Sequence, residues 1–215
     1  MAPDETHQIN SVYGYAKNYQ VLDQLQKQIL NLDYISEKFT QARDLTNQLT
    51  EPISTKTGSR LFDAYCRQTF LDNLLRGGSP QLLGGKHIYY SYSRKHGDPE
   101  RDYNYFNLSA ENYSQGNGNF RDVNQNRRND IYFEPLVADF NIRLFMSLIQ
   151  TDGYNPLLVE GTLFSLDKEH RDIALKLVKN PGILSELIDE SFSPGQLLDK
   201  AIESGLKVSP QKLIV

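Results

Sequence analysis

The sequence predicts a mainly α-helical chain whose centre, residues 77–135, is rich in loops and has room for short β structure. Two observations carry this. On both flanks apolar residues return at every third or fourth position, the spacing of a helix's inner face. Between the flanks, glycine, asparagine and tyrosine are dense and the periodicity stops. Three segments follow: an N-terminal long helix with its linker (1–58), a middle segment (59–165), and a tail of short helices (166–215).

From Lys17 to Leu49 the pattern is helical, with Val21, Leu22, Leu25, Ile29, Leu32 and Ile35 on one face and polar residues on the other. Pro52 ends this run, and the stretch EPISTKTG reads as a loop. Ser59 is placed to cap a second helix through Leu75, with Leu61, Phe62, Tyr65, Phe70, Leu71 and Leu74 inward and Gly77 and Gly78 as its stop. In the centre, KHIYYSYS has the β-branched and aromatic content of a strand. The long polar segment after it reads as functional or disordered. Tyr103, Tyr105, Phe106, Tyr113 and Phe120 argue against disorder. Helix resumes near Asp139, with Ile142, Phe145, Met146 and Ile149 on one face. In the tail, Ser165 is the expected cap of a helix over 167–179, with Ile173, Ala174, Leu177 and Val178 inside. Pro181 and Gly182 interrupt it, and 183–190 restarts. Ser193 followed by Pro194 is a cap with proline at the first helical position, and Gly205 ends that helix. The apolar ending SPQKLIV reads equally as that of a chain that continues and as a docked tail; the first makes the remainder of a parent polypeptide an expected partner.

Composition narrows the function. The 215 residues carry a net charge of −4, and the pI is about 5.6 with a mean hydropathy of −0.55. A mildly acidic chain has no global attraction for nucleic acid or anionic membrane. Its apolar runs fall far short of the roughly 20 residues that span a bilayer. The polar start MAPDETHQIN lacks the apolar stretch of a secretory signal. The single cysteine, Cys66, allows no internal disulfide and fits a reduced cytoplasmic setting. Cys66 lies mid-helix among apolar neighbours and reads as a buried, inert thiol. His7, His87, His96 and His170 share no metal-ligand spacing. No metal or organic cofactor is expected.

The informative segment is 113–130. Arg121, Asp122, Asn124, Gln125, Asn126, Arg127, Arg128, Asn129 and Asp130 fall within ten residues that hold one apolar side chain. Such density of planar donors and acceptors suits a polyhydroxylated ligand, because each sugar hydroxyl takes one donor and one acceptor. Gly116 and Gly118 would let backbone approach closely. A solvated polar loop with an internal Arg–Asp network has the same composition. The mixed run RKHGDPERD (94–102) reads as an ion-pair loop, and His96 within it has no positioned Ser or Cys partner.

The string YSQGNGNFRDVNQNRRND resembles the Gly-rich, Arg-Asp-x-x-Gln segment of the cellobiose and chitobiose phosphorylases and the related β-1,3-glucan phosphorylases. FDAYCRQTFLDNLLRGG and then YYSYSRKHGDPERDYN precede it in the order that family shows, and the similarity covers roughly residues 60–165. The resemblance implies a partial (α/α)6 barrel and an inverting phosphorolysis of β-glucan oligosaccharides to sugar 1-phosphate. Oligosaccharide is then the substrate and inorganic phosphate the co-substrate. It implies that Arg121 and Asp122 grip hydroxyls of the glycone and that Gln125 is the motif glutamine. The family has Asp next, where this chain has Asn126. Arg127 and Arg128 complete the expected substrate-binding set. The family's general acid sits in a downstream segment with an Asp-Asp pair. This chain has no Trp and no such pair, so the acid is expected outside it. A non-catalytic carbohydrate-binding module and an all-α interaction protein are the alternatives.

Overall fold

The computed structural model describes residues 4–7, 9–14, 16, 18–91 and 112–207. The chain divides into two compact units, Met1–Gln48 and Leu49–Val215. It is mainly helical, and among the described residues no helix is long and apolar enough to cross a membrane.

In the first unit the expected single helix is two, α1 (Tyr19–Ile29) and α2 (Leu32–Leu49). Asn31 breaks the run. Its Oδ1 accepts from the Asp33 backbone N–H at 2.9 Å, a local bond that competes with continuing the helix and restarts it instead. Asn18 caps α1 by accepting from Val21 N–H at 2.9 Å. Neither helix has a fully buried residue. Leu25, Ile29 and Ile35 line an open apolar groove with Tyr34 and Phe39.

In the second unit, a 3-10 turn (Glu51–Ile53) leads to α3 (Arg60–Gly77). The Ser59 hydroxyl caps α3 through Phe62 N–H at 3.3 Å. Asp63 in its first turn accepts from Thr55 Oγ1 and Thr57 N–H, which hold its carboxyl below the usual range. Gly78 ends α3 with φ 90°, and a Cβ there would stand 3.1 Å from Ser91 O. The inward face predicted for α3 holds only in its second half. Phe70, Leu71 and Leu74 are half-buried, whereas Leu61, Phe62 and Tyr65 are exposed.

The expected strand is found as β2 (His87–Ser91), and it pairs antiparallel with β1 (Ser79–Leu83), from Ser79 opposite Ser91 to Leu83 opposite His87. Gly84 and Gly85, at φ 57° and 66°, make the tight connection. A second, minimal pairing joins β3 (Gly118–Asn119) to β4 (Leu158–Val159).

The segment expected to be irregular contains a helix, α4 (Phe120–Arg127), capped by Asn119 through Arg121 N–H at 3.1 Å. Then come α5 (Asp130–Phe133), a 3-10 turn at Pro135–Val137, and α6 (Phe140–Ser147). Phe120, Val123, Phe145 and Val159 form one core cluster, with the Phe120 and Phe145 rings edge to face at 5.3 Å. Ile142, Met146 and Ile149, predicted to share an inner face with Phe145, are exposed, because α6 meets α4 through Phe145.

The tail is α7 (Lys168–Lys176), α8 (Pro181–Ile188) and α9 (Pro194–Glu203). Asp167, not Ser165, caps α7: its Oδ1 accepts from His170 N–H at 2.9 Å, and this bond leads the causes that lower the Asp167 pKa. Ile173, expected inside α7, is exposed, while Ala174 is buried. Pro181 opens α8 rather than only interrupting α7. Ser193 and Gln196 close a reciprocal cap on α9. Val178, Leu184, Ile188, Phe192 and Ala201 make the core of these three helices. Phe164 ties it back to the hairpin. Its backbone exchanges two hydrogen bonds with Phe192, and its ring lies 6.1 Å from that of Tyr89.

Candidate functional site

The helical form of α4 decides where the predicted ligand-binding residues go. Side chains three and four apart share a face, so consecutive ones diverge. Arg121, Gln125 and Arg128 occupy the exposed side. Asp122 and Asn126 lie on the adjoining flank, and Phe120, Val123 and Arg127 turn inward. The six residues therefore do not converge on one sugar ring. A subset does come together. Arg121 donates Nε–H to Asp122 Oδ1 at 2.8 Å, with the Arg121 side chain 76% exposed and that of Asp122 17%, and Gln125 follows one turn after Arg121. Asn126 is half-buried and donates back to Asp122 O at 2.7 Å. Arg128 borders a shallow cleft of about 260 Å³ with Asn124, Ile131 and Asn141.

Arg127 corrects the sequence expectation most clearly. It is 4% exposed and serves packing, not a ligand. Its Nε–H donates to Gly77 O at 2.6 Å, closing the end of α3, and its guanidinium carbon lies 3.6 Å from the centre of the Tyr90 ring. The aliphatic stem takes a core position while the planar head stacks and pairs.

Tyr90 is the hub of this interior. Its hydroxyl donates to Asp130 Oδ2 at 2.7 Å and accepts from Asn141 Nδ2 at 2.7 Å, and its ring stacks on Phe140. Burial raises the Asp130 carboxyl to about 6, against the opposing effects of the Tyr90 hydrogen bond and the Arg127 charge. Burial, reinforced by the Asp130 charge, also raises the Tyr90 phenol. Asp130 thus stands at the edge between this network and a second cleft, of about 250 Å³, bordered by α3 and α5.

The approach to α4 is also held by side chains. Tyr89 Oη donates to Tyr113 O at 2.6 Å. Gln115 uses both ends of its amide on one residue: Nε2 donates to Thr162 O at 2.6 Å, and Thr162 N–H donates to Oε1 at 2.8 Å. A Cβ at Gly161 would stand 2.8 Å from Gln115 Cδ, so this contact needs glycine there.

Sequence reasoning missed Tyr90, Asn141 and Asn73 as site-forming residues. Tyr90 was legible only as a strand aromatic. Asn73 sits between the apolar Phe70 and Leu74 of α3, and a polar residue on a half-buried stripe was the available signal. The run 94–102 with His96, the aromatics Tyr103, Tyr105 and Phe106, and the terminal SPQKLIV lie outside the described residues. Among the described residues no three His, Cys, Asp or Glu side chains gather as a metal site. Compared with family models, with curated proteins and with solved structures, the chain matches none.

Proposed function

We propose that this chain is the glycone-binding portion of an inverting glycoside phosphorylase acting on β-glucan oligosaccharides in the cytoplasm, built on part of an (α/α)6 barrel. The observation that carries the reading is the solvent-facing group at the start of α4. Arg121 and Asp122 are ion-paired at 2.8 Å, and Gln125 lies on the same exposed side, so planar donors and acceptors are held at the surface rather than sealed inside. The resemblance of 113–130 to the phosphorylase motif supplies the reaction. In that chemistry the glycosidic C1–O bond breaks as a phosphate oxygen bonds to C1 from the opposite face. A single carboxylic acid delivers the proton to the leaving oxygen, because phosphate is already a nucleophile. That acid lies outside this chain, so the chain by itself binds sugar and does not turn it over.

Titration calorimetry with laminaribiose and cellobiose tests this. Binding by the full chain is expected, weakened at least tenfold by Arg121→Ala. Failure of the chain to bind either disaccharide, or equal binding by the variant, overturns the reading. Release of sugar 1-phosphate by the isolated chain would overturn the placement of the acid. One observation favours a second reading, a protein-interaction module: Leu61, Phe62 and Tyr65 leave an apolar end of α3 exposed.

A further inference from the structure

The cleft bordered by α3 and α5 lies on the other flank of α4 from Arg121, and its lining is unlike a packing defect. Phe70 of α3 and Phe133 of α5 meet edge to face, with ring centroids 4.7 Å apart, and both border the space. Asn73 and Asn129 line it from α3 and from the cap of α5. Neither carboxamide makes a side-chain hydrogen bond among the described residues, so each keeps its donor and acceptor uncommitted. Asn126 and the carboxyl-bearing Asp130 complete the polar side. Apolar rings and planar amides in one lining match a ring that has C–H faces and a hydroxyl rim. The volume, about 250 Å³, is just under the ~300 Å³ at which small-molecule pockets begin. That favours one ring over a chain.

We propose that this cleft is a second binding site, for a single pyranose unit, with Asn73 and Asn129 as its principal hydroxyl partners and Phe70 and Phe133 as its apolar wall. The choice of a sugar over another compact polyol rests on the carbohydrate reading above, while the cleft itself does not. Asn126 joins the two flanks, since it lines the cleft and donates to the backbone of Asp122. A bound oligosaccharide would then be held both at the start of α4 and between α3 and α5.

Cys66 provides the test. It is the only cysteine, it is half-buried, and it borders the cleft. The rate of its alkylation by iodoacetamide, followed by mass spectrometry on the full chain, reports whether the space is filled. Glucose is expected to slow alkylation at least threefold and saturably, relative to polyethylene glycol at matched viscosity. Asn73→Ala and Asn129→Ala are each expected to remove the protection while the far-ultraviolet dichroism stays unchanged. Unaltered alkylation in the wild-type chain, which needs no variant to fold, overturns the site. If Arg121-dependent disaccharide binding persists in that case, the function proposed above stands and only the cleft falls. Absence of both signals overturns both. Protection that survives both asparagine substitutions overturns the assignment of those residues.

Discussion

In the C-terminal helices, Val178, Leu184, Ile188, Phe192 and Ala201 meet without a charged side chain among them. Around β2 and α4 the apolar clusters are instead joined by a polar network, Arg127, Tyr90, Asp130 and Asn141, that meets at Tyr90. The buried polar groups of the tail are caps. Ser193 accepts from Gln196 N–H, and Ser204 donates to Lys200 O. Each of these side chains satisfies a helix end. The polar groups of the centre hold separate elements together: α3 through Gly77 O, β2 through Tyr90, α5 through Asp130 and α6 through Asn141. A core made of hydrocarbon tolerates change in proportion to the volume lost. A core made of mutual hydrogen bonds fails when one member is removed, because its partners stay buried and unpaired.

The largest expected effect breaks that contrast at its centre. Arg127→Met keeps most of the stem but removes the guanidinium from Gly77 O and from the Tyr90 ring. A loss of about 2–3 kcal/mol is expected in urea unfolding. Exchange of a buried charge for an apolar side chain is neutral or stabilising where packing alone matters. An unchanged midpoint would therefore reduce the two regions to the same kind of core.

The next effect sharpens the contrast through pH. Asp130 is held near 6 when folded, against the usual 3.8. Between those values the folded chain keeps a proton that the unfolded chain has released. Stability should therefore fall as pH rises from about 4 to about 6 and then level off. In full the displacement corresponds to ~3 kcal/mol, and after discount for solvent screening to ~1–2 kcal/mol. Asp130→Asn should flatten this descent in unfolding curves taken across that range. A slope that persists in the variant would assign it elsewhere. The smallest effect belongs to the tail: Ser193→Ala should cost ~1 kcal/mol at every pH, measured the same way, because a neutral cap does not titrate. A pH-dependent cost there would blur the distinction.

Legibility in the sequence follows the same division. The capped helices α3 and α9 announce themselves through Ser59 and the Ser193–Pro194 pair, since caps are local and chemically specific, whereas Pro181 reads as a break and not as the start of α8. β2 is legible from its aromatics, whereas β1 is hidden by Pro80, which weakens any strand signal. Two adjacent helices look like one across Asn31, because a two-residue break scarcely disturbs the apolar period. α4 is hidden for a different reason. One of its core-facing positions is Arg127, so the hydrophobic period never forms. Of the candidate site, Arg121, Asp122 and Gln125 were legible as a group because they lie within one turn or so of chain. The pairing of Asn73 with Asn129 was not, since residues so far apart in sequence are joined by tertiary packing alone.

Gln115 lends the backbone of Thr162 both a donor and an acceptor, as a neighbouring strand would. A ladder between strands spreads its holding power over many main-chain groups and cannot be edited. Here one side chain extends the two-residue β3–β4 pairing, so a single codon governs how far back from α4 the chain stays fastened to the segment after β4. Natural variation at position 115 or 161 could thus loosen the approach to Arg121 and leave every helix intact.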